Sequence, residues 1–214
     1  MASAHRHSGL LLATGTWANA LLLAASILAK GTGVEGWHRA TQLTARFSAC
    51  LFLSAFLARP LARILPSATA VAVLRERRGI GLGFTGAHTV HLAAILTYFA
   101  KGGIKPPIFV PILGGVGYLL IALMAITSND RAVRTLGRNW KHLHSFGIYY
   151  IWLIFLLTYL GRLKGPTHPA PIYYVMSGVF VVSLAVRSSA RLFSLPARET
   201  IQWDEITSRR GSSA

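Results

Sequence analysis

Apolar residues in this chain gather into six long blocks, and the polar residues collect between the blocks instead of alternating with them. A helix needs about 20 predominantly apolar residues to cross the hydrocarbon core of a bilayer. Blocks of that kind cover residues 8–29, 42–61, 79–99, 108–127, 143–160 and 172–193. The pattern predicts an all-α bundle of six transmembrane helices, with residues 1–214 forming a single membrane domain that ends in a short polar tail over 194–214. The fourth block opens after Pro106-Pro107, and Pro111 falls in its first turn, where a missing N–H is tolerated. The sixth follows His168-Pro169-Ala170-Pro171, a stiff extended link. The first block follows His5-Arg6-His7, as in a signal peptide. It is longer than a typical signal core and meets no clear small-x-small site before Lys30, so a retained helix is expected.

Composition agrees with the pattern. Hydrophobic residues make up 53% of the 214 positions, mean hydropathy is +0.49, and only 13% of residues are charged. Soluble domains carry about 25% charged residues, so this surface faces something other than water. The net charge of +16 would point to nucleic acid if the basic residues lined a soluble face. Here they stand between apolar blocks, where Lys and Arg set topology and meet anionic lipid headgroups. The expected partner is therefore the lipid bilayer, and no nucleic acid is expected. With the N-terminus inside, the cytoplasmic segments hold fifteen basic residues and the external ones seven. That bias predicts a multi-pass protein with both termini cytoplasmic. Cys50 is the only cysteine, which leaves no intrachain disulfide, cysteine-rich zinc site or iron–sulfur cluster.

Ionisable residues inside spanning helices are costly and mark function by default. The third span carries His88 and His91, three residues apart and so on one helix face. The fifth opens with Trp140-Lys141-His142-Leu143-His144, which sets His144 in its first buried turns. Neutral imidazole ligates haem iron, and apolar surroundings suit a porphyrin. Gly79, Gly81, Gly83 and Gly86 on the third span, with Gly147 one turn beyond His144, would give a macrocycle room against the backbone. The same residues also fit another role: histidines as interhelical hydrogen bonders, and glycines that allow close helix packing. Catalytic zinc is the weaker metal reading, because no intramembrane carboxylate accompanies the histidines. Arg77, Arg78 and Arg138 are chiefly topogenic, and could pair with haem propionates.

Two stretches carry a family resemblance. Arg77-Arg78-Gly79-Ile80-Gly81-Leu82, followed by His91, resembles the opening of the third helix in the ferric reductase-like transmembrane superfamily. Thr127-Ser128-Asn129, then Arg134-x-Leu136-Gly137-x-x-Trp140-x-x-Leu143-His144, resembles that superfamily's entry into the fifth helix. Within it, the chain looks most like the haem-binding membrane subunits of bacterial methionine sulfoxide reductase systems. The resemblance implies haem b held by histidines of the third and fifth spans, a bacterial inner membrane, and electrons passed across or within it. Relatives usually carry a further histidine about thirteen residues beyond the Trp-x-x-Leu-His position; Leu157 and Thr158 stand there instead.

The expected protein is thus a membrane cytochrome b with one haem and its iron between the third and fifth spans. No GxGxxG follows a strand, so no flavin or nicotinamide domain is expected. The electron donor (a cytosolic reductase or a quinol) and the acceptor would be separate. Depth along the helices, roughly 14 Å inside Gly79 for His88 and 18 Å for His91 against roughly 6 Å inside Trp140 for His144, favours His88 as partner of His144. The resemblance favours His91. The competing expectation is a non-redox binding or assembly subunit that kept the fold.

Overall fold

A computed structural model describes residues 2–164 and 169–192, with side chains over 9–164 and 169–190. The described residues form seven helices: α1 (Ala2–Lys30), α2 (Val34–Ile64), α3 (Ala68–Gly102), α4 (Phe109–Ile126), α5 (Asp130–Leu136), α6 (Arg138–Arg162) and α7 (Pro171–Leu192). No strand occurs among them. Six of the seven, all but α5, are long and apolar enough to cross a membrane, as the sequence predicts. The protein is a multi-pass, all-α membrane protein. His168, the end of the sixth predicted span at Phe193 and the tail over 194–214 lie outside the described residues, as do the His5 and His7 side chains.

The helices outrun the apolar blocks. α3 starts eleven residues before its predicted span, because Arg75, Glu76, Arg77 and Arg78 are good helix formers that extend the helix past the hydrocarbon. The Ser67 side chain caps its start, accepting from the Ala70 N–H at 3.2 Å. α5 is an element that the pattern does not predict. Asn129 opens it by accepting from the Ala132 N–H at 2.7 Å, and none of its seven residues is buried. Gly137, at φ +49° and ψ −113°, then breaks the chain between α5 and α6. A side chain would be strained there, so glycine is the residue that permits the turn.

Large apolar side chains point outward along the bundle, among them Leu10, Trp17, Leu21, Leu28, Leu119, Ile126 and Val182. In water such a surface would aggregate; in a bilayer it is the solvated face. Inside, aromatic rings fill the centre: Phe52, Phe56, Phe84, Phe155 and Phe180 from α2, α3, α6 and α7, with Trp152 beside them. The Trp152 indole N–H donates to the Phe180 carbonyl at 3.1 Å and to Ser183 Oγ at 3.0 Å, so its polar edge is satisfied inside the membrane.

α1, α2 and α3 pack most closely together. A methyl group added at Gly15 would collide with the Gly83 carbonyl, and one added at Gly83 would lie 2.9 Å from the Leu11 carbonyl oxygen. Gly86 meets Thr16 and the Leu12 carbonyl in the same way. Small residues let the two backbones approach where the bilayer gives no hydrophobic drive. α3 and α6, by contrast, meet through ring contacts, Phe84 against Phe155 and His88 against Phe155.

Candidate functional site

His91 sits on the buried face of α3, toward α2. Its Nδ1 lies 3.0 Å from Thr44 Oγ1, and Thr44 is completely buried. A threonine hydroxyl has one proton. Here that proton points to the Ala40 carbonyl of its own helix at 2.7 Å, one turn earlier. With its proton on that carbonyl, Thr44 Oγ1 accepts from His91 Nδ1–H, the tautomer that keeps a bare lone pair on Nε2, the form in which imidazole ligates a metal.

The same seam continues upward. Asn19 of α1, also completely buried, donates through Nδ2 to the Ala87 carbonyl at 2.5 Å, with the Thr44 carbonyl and Ser48 Oγ each at 3.3 Å. Ser48 passes its own proton to the Thr44 carbonyl at 2.9 Å. One polar seam thus ties α1, α2 and α3 around the backbone that carries His88 and His91. Sequence reasoning missed Asn19, although a lone amide in an apolar span is a visible signal.

His88 is held differently. Its ring lies between Phe84 and Tyr118, with centroids 5.1 Å and 5.0 Å away, and contacts His91 at 5.1 Å and Phe155 at 5.5 Å. Its Nδ1 is buried without a hydrogen-bond partner among the described residues. An unpartnered polar atom inside a membrane bundle is expensive.

His144 belongs to a separate cluster at the start of α6. Its Nε2 lies 3.0 Å from Thr127 Oγ1, and Thr127 donates to the Leu123 carbonyl at 2.7 Å. With the Thr127 proton on that carbonyl, the matching tautomer has His144 donate through Nε2 and keep its lone pair on Nδ1. Trp140 stacks on the ring at 4.1 Å and donates from its indole to the Thr127 carbonyl at 2.9 Å. The motif residues Thr127, Trp140 and His144 thus clasp the α4–α6 turn. Arg78 completes the clasp from α3, donating to the Ser128 carbonyl at 2.7 Å and pairing with Asp130 at 2.8 Å. Arg138 is exposed and makes no ion pair among the described residues.

The structure brings His88 and His91 together and leaves His144 apart. Phe155 stands level with His88, and His144 precedes Phe155 by eleven residues on α6, about 16 Å along the helix axis. Metal–imidazole bonds are about 2 Å long, so two ligands of one iron must come far closer than that. The depth argument from sequence underrates this gap because the ring contacts, not the helix starts, set the register of α3 against α6.

Of the two roles expected for the glycines, the contacts on α3 match close helix packing. Gly79, Gly83 and Gly86 are taken up by contact with α1, Gly81 faces open space, and Gly147 lies against the flexible end of Met124. Among the described residues, no three His, Cys, Asp or Glu side chains converge on one point. The donors on α3 fit a haem iron in chemistry: one buried imidazole with its Nε2 free, and a second with an unpartnered nitrogen. His144 does not join them in this arrangement.

Together these features define a helical membrane protein with one buried and one half-buried imidazole side by side on α3. Among curated proteins, the chain is similar to the haem-binding subunit MsrQ of protein-methionine-sulfoxide reductase from Cronobacter sakazakii. The two are 29% identical over 149 residues, which is 65% of this chain and 71% of that protein. The likeness supports the resemblance that the two motifs carry. No family model matches the chain, and no solved structure matches it.

Proposed function

We propose that this protein is a membrane electron-transfer subunit that binds one haem b, with His91 of α3 as an iron ligand. The observation that carries the reading is the Thr44–His91 pair, which presents a bare Nε2 in an apolar interior, beside the unpartnered His88. The similarity to a haem-binding subunit supports it. When bound, the haem supplies a one-electron carrier. The chain's own part is to hold the iron, keep water away with Phe84, Phe155 and Tyr118, and fix the ligand's tautomer through Thr44. His144 would be a second residue to hold the iron, through Nδ1, only if α6 shifted toward α3. Electron donor and acceptor are separate molecules, with a quinol or a cytosolic reductase as donor. The protein sits in a bacterial inner membrane with its arginine-rich face cytoplasmic.

A second reading has a specific observation behind it. The separation of His144 from the α3 pair, with Leu157 and Thr158 both exposed near the level of Phe155, favours a non-redox binding or assembly subunit. The two readings part on one measurement. Protein purified from haem-replete cells should show a Soret band and a reduced α-band, and acid acetone should extract the pigment, since no Cys-x-x-Cys-His motif tethers it. A colourless protein establishes the non-redox reading instead.

A further inference from the structure

The arginine-rich end of the bundle holds a cluster that the haem reading does not use. Pro60 stands inside α2, and its missing N–H leaves the Phe56 carbonyl without a helix donor. Arg187 of α7 fills that role, donating through Nη1 to the Phe56 oxygen at 2.6 Å and through Nε to Tyr149 Oη at 3.1 Å. Its guanidinium lies over the Phe56 ring at 4.4 Å and the Tyr149 ring at 5.2 Å. On the adjacent carbonyl, Ala55, Arg77 of α3 donates through Nε at 3.0 Å. Two cations from different helices therefore converge on neighbouring oxygens of α2, and Arg59 stands one helical turn beyond Ala55 on that same helix.

The charges are not balanced. The ion pairs among the described residues are Lys30–Glu35 and Arg78–Asp130, so no carboxylate there answers Arg59, Arg77 or Arg187. Glu76, next to Arg77 in sequence, is exposed and is in neither of those ion pairs. A guanidinium has five N–H donors, and most of those on Arg77 and Arg59 have no acceptor among the described residues. Like charges held together near hydrocarbon are destabilising unless an anion joins them. Arginine forks match phosphate oxygens, and basic pockets between helices at a membrane face take anionic headgroups.

We propose that Arg59, Arg77 and Arg187 form a binding site for the phosphate of an anionic phospholipid. The site lies at the end of α2 where the helices leave the hydrocarbon, within reach of a headgroup. It does not depend on haem.

The test is titration of the full-length, delipidated protein with phosphatidylglycerol or phosphatidylcholine, read by native mass spectrometry. The Arg59 side chain is exposed and makes no hydrogen bond among the described residues, so Arg59→Gln keeps the helix contacts intact. It should weaken phosphatidylglycerol binding about fivefold, the effect of one arginine at a membrane surface, and leave phosphatidylcholine unchanged. Arg131→Gln, on the exposed face of α5, should change neither. Equal losses from both substitutions would mean a diffuse basic surface and overturn the site. So would inorganic phosphate competing as well as the lipid, which would mark a soluble anion. The tail carboxylates Glu199, Asp204 and Glu205 are the rival occupant. Neutralising them to Gln and Asn should leave lipid binding unchanged, and a rise would assign the site to the tail.

Discussion

Thr44 and Thr127 do the same thing to two histidines with opposite results. Each hydroxyl has a carbonyl of its own helix to take its proton and an imidazole to accept from, but Thr44 faces Nδ1 and Thr127 faces Nε2. One histidine is left ready for a metal through Nε2, the other through Nδ1. Thr44→Val should therefore free the His91 tautomer and strand its N–H, at about 1 kcal/mol, the usual size of a polar contact between membrane helices. Thr44→Ser should restore both. The tautomer is read from imidazole nitrogen chemical shifts, and stability from unfolding in mixed micelles. Unchanged shifts in Thr44→Val would contradict the assignment. His88 and His91 were legible in the sequence as buried ionisable residues. Their partners were not, because Asn19, Thr44 and Ser48 become a seam only when three helices meet.

At the scale of elements, the apolar blocks were enough to reveal six helices, since hydrocarbon thickness sets their length. Helix ends were less legible, because interfacial arginines continue a helix without adding hydropathy. The short α5 was hidden for the same reason: it is polar, exposed and held by a cap. The sequence left two roles open for the glycines, and the α1 contacts match the packing one. Gly83 faces the Leu11 carbonyl of α1, whereas Gly81, two residues away, faces nothing within contact distance. Gly83→Ala should then cost about 1–3 kcal/mol through overpacking. Gly81→Ala should be neutral or slightly stabilising, as alanine favours helix. If the two variants unfold at the same denaturant concentration, the α1–α3 contact is wrong.

For the whole molecule, fifteen basic residues against seven should orient the chain with Ala214 and the α2–α3 turn in the cytoplasm. Reporter fusions after Ala214 and near Ser67 should read cytoplasmic, and one near Gly103 external; an external C-terminus would reverse the orientation. The fold class was legible because membrane insertion is written in composition. The resemblance to haem-binding subunits was legible from two motifs. What the sequence could not convey is that the second motif also clasps the α4–α6 turn, and that ring packing sets His144 about 16 Å from the level of His88. The central claim is that His91 holds a haem iron, and it is tested most directly by the absorption spectrum of His91→Ala beside that of the unaltered protein. The account predicts a haem spectrum in the unaltered protein and its loss in a variant that still inserts and unfolds cooperatively. A full Soret band and unshifted α-band in His91→Ala would contradict it.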